Sequence, residues 1–183
     1  MLSKKKLIAI TLAAIAGAAL IVTQTASSKG RCHRMEGAWA LSGEEIRGYM
    51  TCAPSDPLGR TATAKLNWVT VGTTIAGLQA SYGADASTDG NYAAEMIGRD
   101  TVQYSGVFCW IKTGCPNEIK MIFLHWGTLK FTGPDTMVIL QHNWAGYLPA
   151  RDADGYGLPD NMENPDFGQV GGPGICTRQT NAG

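Results

Sequence analysis

Two histidines flanking a turn carry the first chemical signal in this chain of 183 residues. His125 and His142 lie on either side of Gly133-Pro134-Asp135-Thr136, a good turn with proline at its second position. If those four residues form a hairpin loop, Thr132 faces Met137, Gly127 lies opposite His142, and His125 lies opposite Trp144. Directly opposed residues share a face. One face then carries His125, Gly127, Leu129, Phe131, Val138, Leu140, His142 and Trp144. The other carries Thr128, Lys130, Thr132, Met137, Ile139, Gln141 and Asn143. The first face is the more apolar and is expected to point inward. A three-residue loop would reverse His142 and Trp144, because a one-residue slip flips every side chain. An imidazole can hydrogen-bond a ligand, bind a metal or shuttle protons. Buried histidines are more often satisfied by core hydrogen bonds, so core packing, a ligand pocket, and catalysis or metal binding all stand as readings.

Aromatic residues supply the surroundings. Trp68, Tyr104, Phe108, Trp110, Phe131 and Trp144 all fall at expected inward positions. A small barrel needs such side chains to fill its interior. A roomier one uses them to line a cavity around a few polar groups. The expected ligand-binding set is Trp68, Tyr104, Trp110 and Trp144, with His125 and His142 as polar anchors.

A second signal is acidic. The run Asp152-Ala153-Asp154-Gly155-Tyr156-Gly157-Leu158-Pro159-Asp160-Asn161-Met162-Glu163 spaces oxygen donors as a hard cation wants them. It resembles the calcium loop of EF-hands, and more closely the short Asp-rich calcium repeats of thrombospondin type 3 and dockerin modules. The resemblance implies a structural Ca2+ held by Asp152, Asp154, Tyr156, Leu158 (through its carbonyl), Asp160 and Glu163, with Gly157 at the sharp turn. Tyr156 departs from the usual Asp or Asn, and Pro159 stands where an aliphatic residue is usual. The alternative is a solvated acidic turn.

The elements that must position these residues read as strands. Ala62, Ala64, Leu66 and Trp68 alternate with Thr63, Lys65 and Asn67, the mark of a half-buried strand. Val102, Tyr104, Phe108 and Trp110 share one parity, and Leu129 and Phe131 alternate with Lys130 and Thr132. Ser87 to Gly90 reads as a turn, Gly98 as a bulge, and Ser42 to Ile46 as a short helix opened by a capping pattern. Gly37-Ala38-Trp39 resembles the Gly-x-Trp of the first lipocalin strand. That resemblance implies a barrel whose floor the Trp closes and whose cavity holds a small apolar molecule.

Composition sets the remaining bounds. Lys4, Lys5 and Lys6 precede an uncharged apolar run from Leu7 to Val22 and a small, polar exit, the layout of a secretory signal. A cut near Ala26 or Ser27 is expected, with an uncleaved anchor as the alternative. All five cysteines (Cys32, Cys52, Cys109, Cys115, Cys176) follow the signal, where disulfides persist. Structural disulfides are expected; Cys109 and Cys115 could close a short loop and Cys32 and Cys176 could tie the ends together, the sequence leaves the pairing open, and an odd thiol remains. The chain has 15 basic and 15 acidic residues without a basic stripe, so nucleic-acid binding gains no support. Membrane contact is expected only through an uncleaved N-terminal segment. No catalytic or nucleotide-binding motif is present; Glu44 and Glu45 are neighbours rather than an opposed acid pair, and His33 sits beside Cys32.

The expected organisation is a signal or anchor over 1–28, a β-barrel over 29–150 and a Gly/Asp-rich irregular tail over 151–183. The fold class is all-β, a small antiparallel barrel of lipocalin-like meander. The expected role is non-enzymatic binding of a small apolar or aromatic ligand. The alternatives are a structural or interaction module of the cell envelope with a calcium-stabilised tail, and an enzyme using a barrel histidine as base.

Overall fold

A computed structural model describes residues 34–56, 60–156, 158–170 and 174–179. The expected export signal, Cys32, His33 and Gly157 lie outside the described residues. Among the described residues no helix is long and apolar enough to cross a membrane.

The strands are β1 (Gly37–Gly43), β2 (Ile46–Pro54), β3 (Thr61–Val71), β4 (Ala86–Ser87), β5 (Gly90–Met96), β6 (Thr101–Lys112), β7 (Glu118–Phe131), β8 (Thr136–Tyr147), β9 (Phe167–Val170) and β10 (Gly174–Arg178). Their order is β10-β1-β2-β3-β5-β6-β7-β8, and β10 also pairs β8, so eight antiparallel strands close on themselves. β4 pairs β6, while β9 extends the sheet beside β8. The inward alternation holds where the sequence shows it: Ala62, Ala64, Leu66, Val102, Tyr104, Phe108, Trp110, Leu129 and Phe131 are all buried.

Two buried clusters fill the ends of the barrel. One gathers Met35, Trp39, Val102, Phe131 and Met137. Trp39 is fully buried, and its indole N–H donates to the Met35 carbonyl at 2.8 Å. Arg178 lies 4.3 Å over the Trp39 ring and Arg34 lies 4.3 Å over Phe131. Asp135 and Asp100 hold the two guanidiniums at 2.9 and 2.6 Å. The first-strand Trp therefore closes one end, as the Gly-x-Trp resemblance implies. The second cluster includes Ile46, Phe108, Trp110, Met121 and Phe123, together with Ile75 from the helix α1 (Thr73–Ser81).

Several expectations need correction. Residues 151–183 are not all tail, because β10 is a barrel strand. Ser42–Ile46 runs from the end of β1 through the turn at Glu44 and Glu45 into β2 rather than forming a helix; cross-strand pairing such as Ser42 with Arg47 overrides the local capping pattern. Gly98 lies in the β5–β6 connection rather than in a bulge. α1 escaped the sequence reading because Gln79, a polar residue, takes one of its buried positions and bonds the Ser87 hydroxyl at 2.8 Å.

The β7–β8 hairpin is right at its far end for an unexpected reason. Phe131, not Thr132, lies opposite Met137, and the Thr132 N–H donates to the Thr136 carbonyl at 3.0 Å, so the pairing next to the loop is offset by one residue from the expected one. A bulge then skips Leu140 between the pairs Thr128–Gln141 and Leu129–Ile139. The two one-residue offsets cancel, and His125 meets Trp144 as expected. Between loop and bulge the faces of β8 are reversed, while Leu129 and Phe131 on β7 point inward as expected: Met137 is fully buried, whereas Leu140 is 56% exposed.

No disulfide joins the described cysteines; Cys52, Cys109, Cys115 and Cys176 are free thiols, so the Cys109–Cys115 bridge that the sequence allows is not formed. Burial pushes the Cys52 and Cys176 thiols up to about 12, which keeps them protonated and unreactive.

Truncating the floor is expected to cost far more than truncating an outward ring. Trp39→Ala should lose about 3–5 kcal/mol of stability, the usual range for a buried Trp. Trp126→Ala, at a ring 41% exposed on the outer face, should lose under about 1 kcal/mol. Urea unfolding of both variants measures the difference.

Candidate functional site

A cavity of about 160 Å3 lies inside the barrel. Its walls draw on both clusters, with Leu66, Tyr104 and Leu129 from one and Ile46, Ile75 and Trp144 from the other, so it sits between them. Gly43–Ile46, at and beside the β1–β2 turn, and the start of α1 (Thr74, Ile75) complete it at one end. Glu44 and Thr74 are exposed, so this end forms the mouth.

The strand register explains why an interior this rich in rings is not simply full. Tyr92, Gly106, His125 and Trp144 form one row across β5, β6, β7 and β8. Ala94, Tyr104, Gly127 and His142 form the next inward row. Gly106 separates Tyr92 from His125 in the first row, and small residues alternate with large ones throughout the second, a device that lets a tapering barrel accept bulky side chains. A methyl group at Gly106 would meet the Tyr92 ring at 2.3 Å, and one at Gly127 would meet the Gln141 carbonyl at 2.0 Å and the Tyr104 hydroxyl at 2.8 Å. Both positions therefore require glycine for close approach.

His125 stands at the centre of this arrangement. Its Nδ1 is 2.9 Å from the Tyr92 hydroxyl and its Nε2 is 3.3 Å from the Tyr104 hydroxyl. A neutral imidazole offers one donor and one acceptor, and a hydroxyl can play either part, so one tautomer satisfies both bonds. Burial raises both tyrosines above their ordinary value, so their hydroxyls stay protonated. The His142 ring lies 4.5 Å from the His125 ring, centre to centre. The Trp144 indole N–H donates to His142 Nε2. That assigns the proton of neutral His142 to Nδ1, which has no partner among the described residues.

Burial holds both imidazoles neutral. It pushes His142 down to about 4, and it pushes His125 well below the ordinary histidine value, with the neighbouring His142 adding to the effect. Neither is a strong base at neutral pH. Their chemistry in this state is hydrogen bonding and ring packing.

Of the residues expected to bind ligand, Trp68, Tyr104, His125, His142 and Trp144 line the cavity. Trp110 is not among the lining residues; it packs in the second cluster, 4.4 Å from Phe123 and 6.1 Å from Tyr82, centre to centre. Tyr92, missed from sequence, lines the cavity. Its signal was the alternation of Tyr92, Ala94 and Met96 with Asn91, Ala93 and Glu95. Met50, Ile75 and Cys176 also contribute, from elements that carry no linear motif.

The acidic loop is a separate feature. The carboxylates of Asp152, Asp154 and Asp160 converge to within 4.8 Å of one another. Asp160 accepts the Ala153 N–H at 3.0 Å, and Asp154 accepts the Tyr156 N–H at 3.1 Å. Glu163 is not part of this group, and the Tyr156 side chain is 86% exposed.

The fold and the cavity together define a closed, up-and-down antiparallel barrel with an internal chamber. No protein-family model and no curated protein matches the sequence. A solved structure described as "Structure of EF1p2_mFAP2b bound to DFHBI" is similar in chain path, with 16% sequence identity and a TM-score of 0.48 over 81% of this chain and 97% of that one.

Neutral buried histidines make stability depend on pH, with a definite sign. A base whose folded value lies below its unfolded value leaves the unfolded state holding more protons in acid. Stability is therefore complete above the unfolded value of 6.5 and falls as pH drops toward 4. The His142 shift alone accounts for about 3 kcal/mol of that loss. Urea midpoints between pH 7.5 and 4 should show the fall, and His142→Gln should flatten it.

Proposed function

We propose that this chain is an exported, non-enzymatic barrel that holds a small apolar or aromatic ligand between its two core clusters. The observation that carries the reading is the cavity of about 160 Å3 inside a barrel otherwise filled with rings. A chamber of this order suits one aromatic ring, since an apolar cavity of about 150 Å3 takes up benzene. Trp68, Tyr92, Tyr104 and Trp144 supply the aromatic walls, and His125 and His142 supply the polar anchors. The weak basicity of both imidazoles supports binding over proton-transfer chemistry, which is most efficient when the base titrates near the working pH. The signal-like first 28 residues support export.

A second reading concerns the tail and is favoured by the three converging carboxylates. In it, Asp152, Asp154 and Asp160, with the Leu158 carbonyl, hold a calcium ion that stiffens the connection from β8 to β9. Only part of the expected ligand set takes part, which points to weak, structural binding in the manner of extracellular calcium modules. This reading suits a structural or interaction module of the cell envelope.

Two measurements test these readings separately. Titration with fatty acids and single-ring aromatic probes should change tryptophan emission, because Trp68 and Trp144 line the chamber, and the single-ring probes should give the larger response. A flat response across the panel would remove the ligand-binding reading. Millimolar calcium should raise the melting temperature by a few degrees relative to chelator, since only a species that binds the native state stabilises it. Asp154→Asn should abolish that rise; equal melting temperatures of the unmodified chain with and without calcium would reject the metal.

A further inference from the structure

We infer that the chamber selects a small organic cation, an aromatic or short-chain ammonium, over neutral and anionic molecules of the same shape. The inference rests on the ligand-binding reading above and adds the charge of the ligand. Its basis is the set of charges facing the chamber. Glu44 and Glu45 line it, and neither lysine nor arginine is among the described lining residues. Arg47, the nearest basic residue along β2, is exposed and outside the lining. The two histidines add no positive charge, because burial keeps them neutral.

Glu45 is held in place at the mouth. Its carbonyl accepts the Gly72 N–H at 2.6 Å, and its Oε1 accepts the Thr74 hydroxyl at 3.1 Å. Its Oε2 is buried and has no hydrogen-bond partner among the described residues. A methyl group at Gly72 would meet that oxygen at 2.1 Å, so glycine leaves the carboxylate its room. A carboxylate oxygen taken out of water without a donor carries a desolvation cost that an incoming N–H would relieve.

The start of α1 opposes this field, but with only about half a positive charge. Two full carboxylate charges at the same end outweigh it. The walls act in the same direction. Trp68, Tyr92, Tyr104 and Trp144 line the chamber, and aromatic rings attract a cation that reaches within about 6 Å of them through the negative part of their quadrupole. An ammonium entering the mouth meets a carboxylate and an aromatic lining. A carboxylate ligand meets like charge and no cation to pair with it.

The test compares three ligands of one shape on the full mature chain: phenethylamine, phenethyl alcohol and 3-phenylpropionate, each titrated calorimetrically at neutral pH. The amine should bind roughly tenfold tighter than the alcohol, and the carboxylate most weakly. Raising salt from low to molar levels should weaken the amine and leave the alcohol nearly unchanged. Glu45→Gln, checked for a native near-ultraviolet spectrum, should bring the amine-to-alcohol affinity ratio close to one. Glu44→Gln, at an exposed position, gives a smaller drop in that ratio and serves if Glu45→Gln does not fold. Equal binding of amine and alcohol by the unmodified chain, or preference for the carboxylate, would overturn the charge inference while leaving ligand binding intact. Failure of all three to bind, with failure of the wider aromatic panel, would overturn both.

Discussion

Closure of the sheet by β10 is the constraint on which the rest depends. This five-residue strand pairs β1 along its whole length and β8 through Ile175, Cys176 and Thr177. Without it, β1 and β8 would present unpaired edges, and a sheet with free edges encloses nothing. The same strand carries Arg178, whose guanidinium covers Trp39 and reaches Asp135 in the β7–β8 loop. Closure of the wall and sealing of the floor are thus one event at one end of one short strand.

Once the wall is closed, the interior is decided by how rings are spaced. Tyr92, His125 and Trp144 share a row with Gly106; Tyr104 and His142 share the next with Gly127. Each glycine removes the atoms that would collide with a neighbouring ring. The rings lean into those gaps and bring their polar atoms together. The result is a polar island of two hydroxyls, two imidazoles and an indole N–H inside an apolar barrel. Mutual hydrogen bonding makes such an island tolerable, and its low-dielectric surroundings keep the imidazoles uncharged.

The proposed function rests on the asymmetry between the two ends. One end is sealed by Trp39, Phe131 and two arginine side chains. The other is covered by a turn and a short helix, and it carries the carboxylates that face the chamber. Any ligand taken up would approach past Glu44 and Glu45, toward an aromatic lining and two neutral imidazoles. Two carboxylates line the chamber at the mouth, whereas the two arginines of the sealed end are each paired with an aspartate.

The sequence by itself determined the fold class and much of the wall. Alternation along β3, β6 and the inner part of β7 is visible because side chains on a strand point to opposite faces with a period of two. The pairing of His125 with Trp144 and of Gly127 with His142 was also legible, although it holds only because a one-residue offset next to the loop and the bulge at Leu140 cancel. Tertiary structure alone decided the rest. β10 and α1 have weak local patterns and exist through their partners: β10 through the two edges it joins, α1 through burial of Ile75 and Gln79. Trp110 reads like a cavity residue in sequence, yet it is packed against Phe123 and Tyr82. Tyr92 and Glu45 gain their positions from register and from contacts far along the chain. Period and parity are local properties that a sequence displays directly, whereas closure, the size of the chamber and the charges facing it arise only when distant strands meet.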